Sequence, residues 1–98
     1  MKMSDKQKKI CIVLPTKNES KQIEKVLSDI FKLFKNLELS KPVIIITDDS
    51  KDGTRKIAQE AGAEVINGGG KGLGFAMFQG LKHALKFNPK YRMYFIQK

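Results

Sequence analysis

The stretch from Val43 to Thr54 constrains the fold more than any other part of the chain. It opens with an apolar run rich in β-branched residues, which is typical of a strand buried on both faces of a parallel sheet. The run ends in two adjacent carboxylates, Asp48 and Asp49, and turn-forming residues then lead to Thr54, which can cap a following helix. Because ligands of open parallel sheets lie just beyond the carboxyl ends of the strands, the two aspartates stand where a binding site is expected.

Apolar runs and amphipathic segments alternate along the chain. Besides the strand that begins at Val43, the pattern predicts strands at residues 10–14, 64–66 and 92–97 and helices at residues 20–36, 54–61 and 73–87. Pro15 is expected to end the first strand because proline has no N–H for a sheet ladder. Gly80, inside the third helix, is expected to allow close packing against the sheet. The alternation predicts an α/β fold, a Rossmann-like open sheet of mostly parallel strands with helices on both faces.

Length and composition bound the domain organisation. The 98 residues suffice for one domain, in which residues 10–98 fold and the lysine-rich residues 1–9 form a disordered basic tail. No apolar run is long enough to cross a bilayer. The single cysteine, Cys11, lies in an apolar strand, so we expect a buried, unreactive thiol and a cytoplasmic setting.

The net charge of +9 leaves two interpretations open. It could serve an anionic partner such as a nucleic acid, an acidic lipid or a phosphorylated substrate. The lysines are scattered along the predicted helices rather than gathered in one block, which favours a solvent-exposed coat over a nucleic-acid surface. A non-enzymatic nucleotide- or nucleic-acid-binding α/β module stays as the alternative function.

Several motifs that identify common sites are missing. The glycine cluster lacks the Walker spacing, since Val65 stands where a glycine is required and Lys71 is followed by Gly72. The dinucleotide fingerprint also fails, because no third glycine stands at the required spacing. His83, the single histidine, lies in a predicted helix with no carboxylate or cysteine partner evident nearby in sequence, which favours a surface or packing role over catalysis.

Three loops nevertheless converge in the predicted topology. The segments 15–19, 48–54 and 70–74 follow the first three strands and share one edge of the sheet. Carboxylates there can accept hydrogen bonds from a nucleobase N–H or a ribose hydroxyl. A glycine-rich loop that opens a helix offers bare amides to a diphosphate, and Lys71 adds charge. The convergence predicts a site for a nucleotide with a diphosphate.

Each piece of that site also has a simpler interpretation when it is taken alone. Asp48 and Asp49 could be turn acids, Glu19 could be a first-turn helix acid that responds to the dipole, and the glycines could form a slack surface loop. The combination of all three at successive strand ends is what favours a binding site.

Three motifs in order carry a resemblance to a known family: residues 12–19 (IVLPTKNE), residues 48–54 (DDSKDGT) and residues 70–72 (GKG) before a helix. Together they resemble the amino-terminal half of a family-two glycosyltransferase, and the chain is most similar to the dolichyl- or polyprenyl-phosphate sugar transferases. The resemblance implies a GT-A fold, here truncated, with residues 10–98 as its nucleotide-sugar-binding half and a nucleotide-diphosphate sugar as donor. Carried over by position, it implies that the base and ribose pocket is lined by Pro15, Lys17 and Glu19, that Asp49 binds the base or ribose beside Asp48, and that Lys71 lies near the diphosphate.

The resemblance also implies what the whole enzyme needs. Mg²⁺ or Mn²⁺ would hold the donor diphosphate, and a base would activate the acceptor, a polyprenyl phosphate or a cell-envelope glycan, for inverting transfer of a hexosyl group. The family's Asp-x-Asp metal motif and its catalytic base lie beyond strand four. No catalytic residue or metal ligand is therefore assigned in this chain, which is expected to be inactive alone. Strand four is expected to self-associate through its uncovered edge, and membrane association is expected only for a full-length protein at the cytoplasmic face.

Overall fold

The computed structural model describes residues 10–87 and 92–95 of the chain. The strands are β1 (Ile10–Thr16), β2 (Val43–Asp48), β3 (Glu64–Asn67) and β4 (Arg92–Phe95), and the helices are α1 (Ile23–Asn36), α2 (Thr54–Glu60) and α3 (Leu73–Phe87). The four strands form one sheet in the order β3-β2-β1-β4, and every pairing is parallel. The predicted Rossmann-like α/β fold and its alternating element order are confirmed.

Helices cover both faces of the sheet, because successive strand residues point to opposite sides. On one face, α1 and α2 close a core that consists of Ile12, Leu14, Ile23, Leu27, Ile44, Ile46 and Ala58. On the other face, α3 closes a second core that consists of Cys11, Val13, Ile45 and Ala84. The two central strands are therefore buried on both sides, which explains their nearly continuous apolar sequence.

Helix α3 approaches the sheet closely at Gly80. A methyl group added at Gly80 would collide with Val13 Cγ1 and lie 3.1 Å from Thr47 Cγ2. Both of these side chains are fully buried in the central strands. The predicted role of Gly80 in close helix–sheet packing is confirmed, since a larger residue would push α3 away from the sheet.

Strand β1 continues through Pro15, so the prediction that Pro15 ends the strand is wrong. The register aligns Pro15 with Thr47 of β2. The carbonyl of Thr16 accepts a hydrogen bond from the amide of Asp49 at 3.1 Å, so the backbone N–H and C=O groups of Thr16 point toward β2. The backbone groups of successive strand residues point to opposite sides, so the backbone of Pro15 points toward β4. The described pairing of β1 with β4 ends at Val13, before Pro15. The N–H that proline lacks is therefore not needed for a described ladder bond.

One predicted helix start and one predicted helix cap are wrong. Helix α1 begins at Ile23 rather than at residue 20, because the carbonyl of Glu19 first closes a turn by accepting from the amides of Gln22 and Ile23, each at 3.0 Å. Helix α2 begins at Thr54, but its cap position belongs to Gly53, whose φ of 116° suits glycine. The predicted capping by Thr54 is therefore wrong. Its hydroxyl forms hydrogen bonds with Glu19 and Asp52 in the neighbouring loops instead.

Further expectations concern Cys11 and the ends of the chain. Cys11 is fully buried, and burial raises the pKa of its thiol, which keeps it protonated and unreactive. None of the helices described between residues 10 and 95 is long and apolar enough to cross a bilayer. The predicted tail at residues 1–9 and strand residues 96–97 lie outside the described residues. Strand β4 lies at an edge of the sheet, and self-association through it stays a prediction.

Candidate functional site

The carboxyl ends of β1, β2 and β3 meet in one row at the edge of the sheet. Thr16 is aligned with Asp48, and Asp48 is aligned with Asn67. The loops that follow these strands, together with the first residues of α3, surround a cleft of about 950 Å³. The cleft therefore lies where the sequence predicts ligand binding.

The first loop (residues 17–22) and the second loop (residues 49–53) are tied together through Asn18. Asn18 has a φ of 53°, a left-handed conformation that asparagine adopts more readily than most residues. Its amide donates to Ser50 Oγ at 2.7 Å, and its Oδ1 accepts from the amide of Lys51 at 3.0 Å. This reciprocal pair of hydrogen bonds fixes the spacing of the two loops.

A second connection between the same loops runs through Asp52 and Thr54. Thr54 Oγ1 accepts from the amide of Glu19 at 2.9 Å and donates to Asp52 Oδ1. The carboxylate of Asp52 also accepts from the amide of Ser20 at 3.2 Å and from the amide of Thr54 at 3.0 Å. These hydrogen bonds, above all the one from the Thr54 hydroxyl, hold the pKa of Asp52 well below its usual value. Ionised Asp52 is thus part of the frame of the cleft.

Asp48 places a buried carboxylate in the wall of the cleft, with only 1% of its surface exposed. Its Oδ1 accepts a hydrogen bond from Thr16 Oγ1 at 2.8 Å. Its Oδ2 lies 3.5 Å from Arg55 Nε in an ion pair, yet it receives no hydrogen bond from any residue that the structure describes. Arg55 Nη2 also lies 3.4 Å from the carbonyl oxygen of Asp48. The Arg55 guanidinium thus balances the charge of a carboxylate whose Oδ2 is buried.

Asp49 joins β2 to the glycine loop (residues 68–72). Its Oδ1 accepts from the amide of Gly70 at 2.9 Å. Its Oδ2 packs against Gly68, where an added Cβ would lie only 2.5 Å away. Its own amide donates to Thr16. Asp49 therefore holds the ends of three strands together, and a side chain at position 68 would require its carboxylate to move.

The glycine loop offers fewer bare amides than the sequence predicts. The amides of residues 68–70 donate to the carbonyl of Asp48 and to the side chains of Asn67 and Asp49. For this part of the loop, the expectation of amides available to a diphosphate is wrong. Amides without an intrahelical partner remain in the first turn of α3, which begins at Leu73.

The structure gathers most of the predicted site residues in the cleft. Its lining includes Pro15, Lys17, Glu19, Asp48 and Asp49. Lys71 is not among the lining residues, and its Nζ lies 5.0 Å from the centre of the Phe75 ring. The part that these six residues take in binding stays a prediction.

Thr16 and Arg55 also line the cleft, although neither was predicted from the sequence as a site residue. The contact of Thr16 with Asp48 depends on strand register, which the sequence alone does not reveal. Arg55 did carry a signal, because a cation in the first turn of a helix is opposed by the helix dipole. A nearby carboxylate offsets this unfavourable interaction, and Asp48 supplies that carboxylate.

The implied Mg²⁺ or Mn²⁺ lacks a ligand set in this part of the chain. Within residues 10–87 and 92–95, no three His, Cys, Asp or Glu side chains come together as ligands of a metal ion. Asp48 and Asp49 are already engaged by Thr16, Arg55 and Gly70. The described residues therefore do not fit a metal site, and the metal stays a prediction for a longer protein.

His83 has a carboxylate partner that lies far away in sequence. Its Nε2 lies 3.1 Å from Glu64 Oε2, which links α3 to β3. Neither residue lines the cleft. This position agrees with the surface or packing role expected for His83.

Fold and cleft together define a Rossmann-like α/β domain with a ligand-sized opening at its strand ends. Residues 11–86 match the family model described as glycosyl transferase family 2, and the chain belongs to that family.

Named relatives are considerably longer than this chain. Glycosyltransferase AglJ of Haloferax volcanii is 38% identical over 68 residues, which cover 69% of this chain and 21% of that protein. The 4,4'-diaponeurosporenoate glycosyltransferase of Staphylococcus haemolyticus is 36% identical over 58 residues, or 59% of this chain and 14% of that protein. The crystal structure of mannosyl-3-phosphoglycerate synthase from Rubrobacter xylanophilus matches with a TM-score of 0.72 and 27% identity, covering 82% of this chain and 29% of that one. The chain spans less than a third of each of these relatives.

Proposed function

We propose that this chain forms the donor-binding part of a glycosyltransferase and that its cleft binds a nucleotide-diphosphate sugar. The observation that supports this most directly is the gathering of three strand-end loops around one cleft of about 950 Å³. That volume lies within the range of small-molecule sites, which is roughly 300–1,000 Å³. Family membership supports the same reaction class, and the structural relative is named mannosyl-3-phosphoglycerate synthase.

The polar groups of the cleft suit the two ends of such a donor. On one side, the carboxylates of Glu19 and Asp49, with Asp48 beside Asp49, suit a base N–H or a ribose hydroxyl. On the other side, Gly72 and Leu73 bring the first turn of α3 to the cleft, where its amides and the positive end of its dipole suit a diphosphate.

For the whole protein, we propose inverting transfer of a hexosyl group to an acceptor such as a polyprenyl phosphate or a cell-envelope glycan. The reaction would take place in the cytoplasm or at the cytoplasmic face of a membrane. Mg²⁺ or Mn²⁺ would stabilise charge on the leaving diphosphate, with ligands outside the described residues. The residues described here bind and orient the donor.

The proposal is tested by titrating nucleoside diphosphates into the protein in a calorimeter and by changing one cleft cation. Lys17 lines the cleft, so Lys17→Glu should place a negative charge in the site proposed for the anionic donor. We expect affinity for the diphosphate to fall by about tenfold or more, in proportion to the loss of a charge-assisted contact.

Lys32→Glu is the matched control, because it changes the net charge equally from an exposed position on α1 outside the cleft. Its affinity should stay within about twofold of the unmodified protein, as expected when only a screened, distant charge changes. Equal losses in both variants would show general attraction to a basic chain and contradict the proposed site. Steeply salt-dependent binding of any polynucleotide would instead support a nucleic-acid-binding module.

A further inference from the structure

The phenylalanine in the first turn of α3, Phe75, packs against the glycine loop. We propose that Phe75 is a positioning residue, which holds this loop in the conformation that presents the first turn of α3 to the diphosphate of a donor. This inference rests on the proposed function. It adds a residue that lies behind the cleft rather than in its lining.

The first step of the argument is the contact between Phe75 and Gly69. A methyl group added at Gly69 would collide with Phe75 Cε2 and lie 2.6 Å from Phe75 Cδ2, so the edge of the ring lies directly against the Gly69 backbone. Gly69 also has a φ of 95°, which other residues rarely adopt. Both the backbone conformation and the available space therefore favour glycine at this position, and the Phe75 ring occupies the place where a side chain would stand.

The second step is that the same ring holds the loop at another point. The Nζ of Lys71 lies 5.0 Å from the centre of the Phe75 ring, a distance at which a cation and an aromatic face attract each other. Phe75 thus contacts the residues on both sides of Gly70. The amide of Gly70 donates to Asp49 Oδ1 at 2.9 Å, so the loop is held between the end of β2 and the start of α3.

The third step is that the cleft lining depends on this contact. Gly70 and Gly72 line the cleft, and a Cβ added at either would meet no atom within 4 Å. Because glycine restricts the backbone little, this part of the loop needs a neighbouring contact to keep one conformation. Phe75 is half-buried and belongs to neither of the two cores, so its position is explained by the loop rather than by a core. A loop that is already ordered loses less conformational entropy when a ligand binds.

The experiment first identifies, by titration calorimetry, which diphosphate binds most tightly among those of uridine, thymidine, guanosine, cytidine and adenosine. It then compares that diphosphate with the monophosphate of the same nucleoside at one salt concentration, so that the ratio of the two affinities measures what the second phosphate contributes. We expect a ratio of about tenfold or more in the unmodified protein, in line with a charge-assisted contact. Phe75→Ala should reduce the ratio to about threefold or less, because part of the binding free energy must then order the loop.

Phe78→Ala is the matched control, because it removes a second phenylalanine ring from α3. Phe78 is 53% exposed and lies outside the cleft, and its ring centre is 5.5 Å from Lys82 Nζ. This variant should keep the unmodified ratio. Gly69→Ala perturbs the same contact from the loop side and should lower the ratio as Phe75→Ala does. Circular dichroism confirms that each variant is folded, and Gly69→Ala decides the outcome if Phe75→Ala does not fold.

Three results would overturn this inference and leave the proposed function intact. They are an unmodified ratio in folded Phe75→Ala, an equal fall of the ratio in Phe78→Ala, and a diphosphate that binds the unmodified protein no more tightly than the monophosphate. A loss of folded protein would lower both affinities together and leave the ratio unchanged, so it cannot imitate the expected result. Failure of all five diphosphates to bind would instead count against the proposed function.

Discussion

Replacing Gly80 with alanine tests how closely α3 packs on the sheet. An alanine Cβ at this position would collide with Val13 Cγ1 and lie 3.1 Å from Thr47 Cγ2. Both neighbours are fully buried on the central strands, so a shift of either would disturb the packing of the sheet. Overpacking of this kind typically costs about 1–3 kcal/mol.

Alanine also brings a gain that must be subtracted. In a helix interior it is favoured over glycine by about 1 kcal/mol. Because the collision is with a rigid β-branched side chain, we expect the upper part of the overpacking range and a net loss of about 1–2 kcal/mol. For a domain of this size, that loss corresponds to a fall in Tm of roughly 4–16 °C.

Gly74→Ala is the control, since Gly74 lies in the same helix with no neighbouring atom within 4 Å of an added Cβ. This variant should be unchanged or stabilised by up to about 1 kcal/mol. Thermal unfolding followed by circular dichroism measures both variants. If Gly80→Ala raised Tm as much as Gly74→Ala did, the close approach of α3 to the sheet would be refuted.

Two further predictions concern the frame of the cleft. Asp52→Asn should lower Tm at pH 7, because ionised Asp52 accepts a hydrogen bond from the Thr54 hydroxyl. The pKa of Asp52 is lower in the folded than in the unfolded protein. The stabilisation is therefore complete above about pH 4 and is lost as the pH falls further. Tm measured from pH 7 to pH 2 should therefore converge for the two proteins, whereas Asp29→Asn, in an exposed ion pair, should change Tm little throughout. Gly68→Ala should displace the Asp49 carboxylate and lower both Tm and diphosphate affinity, and retention of both would contradict the described packing.

The element order was predictable because apolar periodicity responds to burial, and this sheet buries its central strands on both faces. Gly80 was predictable for a related reason, since a glycine inside an amphipathic helix needs a packing explanation. The exact ends of strands and helices were harder to predict from the sequence. Whether Pro15 ends a strand depends on which neighbour its backbone faces, and the cap of α2 depends on the φ of Gly53 rather than on the Thr54 hydroxyl.

The position of the site was predictable from the sequence, but the hydrogen-bond and ion-pair partners of its side chains were not. Parallel strands bring their carboxyl ends to one edge, which located Asp48 and Asp49 in the cleft. Their partners Thr16, Arg55 and Gly70 follow from register and loop conformation, which pair groups distant in sequence. Lysine side chains are long and flexible, so no pattern could show which way Lys71 turns.

The sheet order has a consequence for how this protein is made. Strand β1 is synthesised before the other three described strands, yet it lies between β2 and β4, and its contact with β2 at Thr16 and Asp48 spans 32 positions. Two parallel strands are joined by a long crossover connection. The chain must bring both ends of that connection together before the strands can form their first hydrogen bond. A nascent β1 therefore leaves the ribosome with apolar surface and no neighbour. We expect the pairing of β1 with β4, whose partners Ile10 and Arg92 are 82 positions apart, to limit the folding rate, and the long-range pairings of β1 to set the interval during which the growing chain is exposed to aggregation.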